Sequence, residues 1–297
     1  MNYQWYPGHM TKAKRMMQED IKLIDLIIEL VDARIPLSSR NPEIDELGKN
    51  KSRIILLNKS DLADAGCNVR WAEYFKEKGY FVLGINARTG AGMKEIQELV
   101  QKACREKIER DKKRGIVNRP VRAMVVGIPN VGKSTFINSF AKKACTKTGN
   151  KPGVTKGKQW IRLNKSLDLL DTPGILWPKF EDQTVGMKLA FIGSMNDDII
   201  IVQEMALDLI KHIAERYPRV FEERYGVAWK EGENRTESAY EVLTGIAKAR
   251  RCFAKGEEID YDKAAALLLD DFRSGRLGKI TLEVPGDFER MNGEKIQ

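Results

Sequence analysis

The chain has 297 residues, 42% hydrophobic and 31% charged, enough apolar surface for one large or two ordinary packed domains, which excludes disorder and collagen-like repeats. No window is long and apolar enough for a membrane span, and the opening MNYQWYPGHM lacks a secretory pattern, so a cytoplasmic protein without membrane contact is expected. The net charge of +9 is uneven: residues 101–165 carry 18 Lys and Arg against 3 Asp and Glu, whereas residues 178–297 are net −5, so a polyanionic partner, nucleic acid before membrane, is expected.

Met10, Ala13, Met16, Met17, Ile21 and Ile24 recur at helical spacing over 10–24, and the apolar run at 26–31 reads as a buried parallel strand. Similar runs at 53–57, 80–85 and 121–126 alternate with helical stretches at 68–78 and 92–110. That alternation predicts βαβ units, hence an α/β fold with a mainly parallel sheet and helices on both faces. A helix over 133–143 and strands at 158–163 and 166–170 follow. Beyond about 180 the strand signal fades, and helices are expected at 183–195, 197–214, 236–255 and 261–272. The polar stretch at 109–120 reads as an internal linker and Pro178 as a boundary, which divides the chain into an α/β domain, 1–177, and an all-helical domain, 178–297. Cys67, Cys104, Cys145 and Cys252 lack metal-ligand spacing and are expected as reduced thiols.

The strongest motif is GIPNVGKS, Gly127 to Ser134, placed after a predicted strand and opening a predicted helix. Such a loop turns backbone N–H groups toward phosphates at a helix N-terminus. Its residues Asn130, Val131, Gly132, Lys133, Ser134 and Thr135 are candidates for phosphate binding, Lys133 for the β and γ phosphates, and Ser134 for Mg²⁺. NKSD, Asn58 to Asp61, follows the strand at 53–57. A carboxylate there can accept from guanine N1–H and its exocyclic amine, so Asn58, Lys59, Ser60 and Asp61 are read as selecting GTP, the competing role being a helix N-cap at Ser60 or Asp61. In DTPG, Asp171 is a candidate Mg²⁺ ligand through water, and the Gly174 N–H a contact for the γ phosphate. Thr155 is the candidate metal threonine, with Thr146 and Thr148 as alternatives.

Ordinary GTPases place the phosphate loop before NKxD, whereas here NKSD comes first. In this the chain resembles the circularly permuted GTPases, and WYPGHM at 5–10, DARIP at 32–36, PNVGKST and LLLDDFRSGRLGKITLE at 267–283 narrow the resemblance to the bacterial ribosome biogenesis GTPase A family. The resemblance implies a GTP-hydrolysing factor acting late in maturation of the large ribosomal subunit, stimulated by that particle, with ribosomal RNA and proteins as partners. It implies that Asn86 and Ala87 back the guanine, Ala87 through its N–H, although the usual Ser-Ala-Lys reads Asn86-Ala87-Arg88 here. It also implies a potassium ion at Asn130, where a turn-forming asparagine without an ion is the competing role.

Ile175 stands where Ras-type enzymes orient water with glutamine, and isoleucine cannot do so. His9 is therefore the candidate to position the attacking water, its alternative role being a loop tether. Lys248, Arg250, Arg251, Lys255, Arg273, Arg276 and Lys279 are candidate RNA contacts in the helical domain. The protein is expected to be monomeric. Competing functions are an RNA-binding scaffold ordered by GTP, with incidental hydrolysis, and a GTPase for tRNA modification.

Overall fold

The computed structural model describes residues 8–116, 119–143, 145–146, 159–177, 180, 182–196 and 201–287. These fall into two compact units, residues 180–282 in one and the remainder in the other.

In the larger unit, β1 (Leu26–Asp32), β2 (Ser52–Asn58), β3 (Phe81–Gly84), β4 (Val121–Val126), β5 (Gln159–Arg162) and β6 (Leu167–Asp171) form one sheet in the order β3-β2-β1-β4-β6-β5. All pairings are parallel except β5 with β6. Every residue of β1 is buried, as expected of a central strand covered on both faces. On β2, Ile55 and Leu57 pack with Trp71 and Phe75 of helix α3 (Ala65–Glu77), while the alternate residues Ile54 and Leu56 are equally buried on the other face. Asp64 caps α3 by accepting from the Cys67 amide at 2.8 Å, so neither Ser60 nor Asp61 serves as the cap.

Helix α1 (Gly8–Asp20) precedes β1, and α6 (Lys133–Ala141) follows β4. Two local readings are corrected, and one helix was not read at all. The helix expected over 92–110 is two, α4 (Glu95–Ala103) and α5 (Arg105–Lys113), so the first part of the expected linker at 109–120, up to Lys113, is helical. The short helix α2 (Pro42–Leu47) carries only one buried apolar side chain, Ile44, too few to show a period. Residues 283–287 belong with the sheet, not with the helical unit. The Glu283 carboxylate accepts from the Ser38 amide at 3.0 Å and the Ser38 hydroxyl at 2.6 Å, and its carbonyl accepts from Trp71 Nε1 at 2.9 Å.

The smaller unit is built from α7 (Gln183–Phe191), α8 (Val202–Ala214), α9 (Val220–Tyr225), α10 (Arg235–Ala249) and α11 (Tyr261–Ser274). Its core joins Leu209 and Ile213 of α8 with Leu243 and Ile246 of α10 and Leu268 and Phe272 of α11. Helix α9 was not legible as a separate element because its six residues fall below two turns.

Candidate functional site

Reading outward along the sheet, chain order reverses between β1 and β4, and the carboxyl ends of strands beside such a switch point form a natural ligand crevice. GIPNVGKS leaves β4 there and turns into α6, whose first amides present the positive end of the helix dipole. The turn requires a left-handed backbone at Gly132, φ +100°, where an added Cβ would lie 2.5 Å from Asn58 Nδ2. Asn130, also left-handed at φ +58°, is of the residue type that tolerates that region.

Lys133 is buried, and its ammonium donates to the Gly127 carbonyl at 3.0 Å and the Ile128 carbonyl at 2.8 Å. Burial pushes its pKa down to about 8, with the negative charge of Asp171 opposing the shift. At the end of β6, burial pushes the Asp171 carboxyl up to about 6 against the opposing effects of Lys133 and the Thr172 amide. Asp171 Oδ1 is buried with no hydrogen-bond partner among the described residues, so an acceptor waits in a polar, enclosed site, and a hard divalent cation fits it. Ser134, in the first turn of α6, supplies an oxygen of the same hard class. Thr146 is engaged elsewhere, donating to the Ser134 carbonyl and to Asn138 Oδ1, both at 3.2 Å. Thr148 and Thr155 lie outside the described residues.

Asn58, the last residue of β2, ties three segments together. Its Nδ2 donates to the Val131 carbonyl at 2.7 Å, and its Oδ1 accepts from the Ala87 amide at 3.0 Å. The Ala87 amide, expected on guanine, is thus held by Asn58 in this conformation. Asn86 Oδ1 accepts from the Arg88 and Thr89 amides at 2.9 and 3.0 Å, an Asx turn that shapes the loop and gives the side chain a structural role. Ser60 Oγ donates to the Ile85 carbonyl at 3.0 Å, joining the NKSD turn to that loop, and Asp61 is exposed. Lys59, φ +59°, donates to the Asn130 carbonyl at 3.1 Å and to Asp32 Oδ2 at 2.9 Å.

Asp32 and Arg34 of DARIP were not singled out from the sequence, although a carboxylate ending the central strand is a usable signal. Both are buried, and Arg34 donates to Asp32 through Nε and Nη2, each at 2.8 Å. Burial penalises the Asp32 charge, but Arg34 and Lys59 outweigh it and hold the carboxyl well below the usual carboxylate range. Ile175 is buried, as is Leu176, whose amide donates to Met10 Sδ of α1 at 3.4 Å. His9 lies in the first turn of α1, next to Met10, and its side chain is outside the described residues.

In the helical unit, Lys248, Arg251, Lys255 and Lys279 are exposed. Arg250 is exposed as well but donates to the Arg224 carbonyl at 2.9 Å. Arg276 pairs with Asp270 and Asp271. Arg273 is withdrawn from the expected RNA face: its guanidinium donates to the Phe191 and Ala190 carbonyls at 2.9 and 2.8 Å, closing the end of α7.

A phosphate loop, a guanine-type NKSD turn and a DTPG segment at one switch point, with NKSD on an earlier strand than the loop, define a circularly permuted P-loop GTPase. A family model described as a 50S ribosome-binding GTPase matches residues 122–228. The chain is 48% identical over 297 residues to Ribosome biogenesis GTPase A of Bacillus cereus, covering 100% of this chain and 97% of that protein. It is 32% identical over 294 residues to Ribosome biogenesis GTPase A of Thermotoga maritima, covering 99% and 98%. The crystal structure of GNP-bound YlqF from T. maritima superposes with a TM-score of 0.63 at 28% identity, covering 92% of this chain and 98% of that one. The chain belongs to the ribosome biogenesis GTPase A family and is a GTPase.

Proposed function

We propose that the protein acts late in assembly of the large (50S) ribosomal subunit, that it binds the precursor particle through ribosomal RNA and proteins, and that this particle stimulates its hydrolysis of GTP to GDP and phosphate. One observation carries the reading: the likeness to the B. cereus Ribosome biogenesis GTPase A runs through the helical unit as well as the nucleotide site. The protein is read as a cytoplasmic monomer of two domains, divided near residue 178, with residues 283–287 returning to the first.

In this reading Asp61 accepts from guanine N1–H and the exocyclic amine, and Asn58 holds the NKSD turn against Val131. Asn86 and Ala87 wall the base, and GTP binding frees the Ala87 amide from Asn58 or shares it. Amides of the loop from Asn130 to Thr135 surround the phosphates. Lys133 exchanges the carbonyls of Gly127 and Ile128 for phosphate oxygens, a stronger charge-assisted contact. Ser134, with Asp171 through water and Thr155, holds Mg²⁺, which when bound neutralises phosphate charge. The Gly174 N–H meets the γ phosphate.

The water needs an orienting group, and the buried Ile175 is none. His9 takes that role, supported by the hydrogen bond that joins its neighbour Met10 to Leu176. A potassium ion at Asn130 belongs to the reading on the resemblance alone, and no step is derived through it. Lys248, Arg251, Lys255 and Lys279 form the RNA face, with Arg250 and Arg276 at its margin. Co-sedimentation with large subunits in GTP, GDP and a non-hydrolysable analogue tests the reading. Retention with GTP and the analogue, and release with GDP, is expected; no retention in any state overturns it.

A further inference from the structure

The parallel strands of the large unit end at the nucleotide site, so their starts lie at the opposite pole. Two connections there carry cations, Lys49 and Lys51 between α2 and β2 and Lys78 between α3 and β3, and Arg53 follows at the start of β2. The end of α4 and the start of α5 add Lys102 and Arg105, which belong to the basic block that the helical-unit cluster leaves unexplained. These six cations and two carboxylates, Asp45 and Glu106, line a cleft of about 590 Å³.

The exposed charge of the cleft rests on its lysines. Arg53 is paired with Asp45, which Arg40 shares, and with Glu29 at 2.7 Å. Lys51 donates to the Ile24 carbonyl at 2.7 Å and Arg105 pairs with Glu109. Lys49, Lys78 and Lys102 are exposed. Arg53, with only 9% of its side chain exposed, has a buried Nε without a partner among the described residues. The Arg40 and Arg53 guanidiniums lie over the Tyr80 ring at 4.9 and 5.2 Å, so a stacking base would have to compete with them. Among the lining side chains Phe81 is the exposed aromatic, 36% exposed, against six cations, so the cleft offers chiefly charge and donors in a concave shape. That is the chemistry of a phosphodiester backbone, and a flat lipid surface fits the concavity poorly.

We propose that this cleft docks a stretch of RNA phosphate backbone, giving the GTPase unit a sequence-independent grip of its own at the pole opposite the nucleotide. The inference rests on the ribosomal reading above for the identity of the polyanion. It is tested with the full chain carrying Lys49→Gln, Lys78→Gln and Lys102→Gln, all exposed positions, by anisotropy with a labelled RNA duplex of about 16 base pairs across a salt series. Binding at low salt is expected to weaken by about tenfold or more, the slope of log affinity against log salt to fall by about two to three, and GTP affinity to stay unchanged. An unchanged affinity and slope overturns the inference, as does a loss seen only in Lys248→Gln, Lys255→Gln protein, which would leave the ribosomal reading standing. Wild-type binding to phosphatidylserine vesicles in place of RNA also overturns it. Failure of the wild type to bind either the duplex or large subunits overturns the ribosomal reading as well.

Discussion

The Lys59 ammonium meets the Asp32 carboxylate at 2.9 Å, so the lysine of the NKSD turn is anchored on the central strand while it reaches the phosphate-loop carbonyl of Asn130 at 3.1 Å. Asp32 also carries Arg34, which is 1% exposed. Removing the carboxylate strands a buried guanidinium, and Asp32→Ala is expected to cost about 3–5 kcal/mol in urea denaturation. The milder Asp32→Asn should fold and bind GTP more weakly in a fluorescence titration. Wild-type GTP affinity in that variant would detach Asp32 from the nucleotide site.

Asp61→Asn is expected to weaken GTP binding and improve binding of xanthosine triphosphate, because an amide gives one acceptor and a mismatched donor where guanine needs two acceptors. Competition titrations with both nucleotides measure it. Unchanged preference for guanine would remove Asp61 from base recognition.

The Asp171 carboxyl is raised from 3.8 to about 6, so the folded chain keeps a proton that the unfolded chain has lost between those values. Metal-free protein should therefore lose stability as pH rises through that window, and at neutral pH the buried carboxylate is a net cost. Asp171→Asn is expected to raise metal-free stability near neutral pH by about 1–3 kcal/mol, with the gain vanishing below about pH 4, while Mg²⁺-dependent GTP hydrolysis is lost. Chemical denaturation in chelator across pH measures the first part. A variant less stable than wild type at neutral pH would contradict the assignment of strain to this carboxylate.

A Cβ added at Gly174 would stand 2.8 Å from Lys133 Nζ and 2.8 Å from the Pro129 backbone. Gly174→Ala should displace the γ-phosphate contact and slow single-turnover hydrolysis by about a hundredfold, while GDP affinity stays close to wild type. Parallel loss of GDP binding would show instead that the loop itself collapses.

The strands and the phosphate loop were legible because their signals are local: apolar runs of strand length and a glycine pattern of fixed spacing. The permutation was legible too, since motif order survives in one dimension. Pairings across long separations were not. Nothing near Glu283 announces that it returns to Ser38 and Trp71, and nothing near Arg273 announces carbonyls of α7 as its partners. A count of basic residues treats every arginine as available, whereas Arg273 is spent within the fold and Arg276 is shared with Asp270 and Asp271. Ala87 is a subtler case, because its amide is available to guanine only when Asn58 releases or shares it.

In the proposed mechanism the large-subunit precursor switches on this GTPase by ordering a water through His9. Rapid-quench single-turnover hydrolysis, with and without precursor particles, for wild type and His9→Ala, tests it most directly. Wild type is expected to accelerate by about tenfold or more, worth at least about 1.4 kcal/mol in the barrier, and His9→Ala to lose nearly all of that acceleration with GTP affinity intact. Equal wild-type rates with and without the particle would contradict stimulation, and equal stimulation of both proteins would take His9 out of the chemistry.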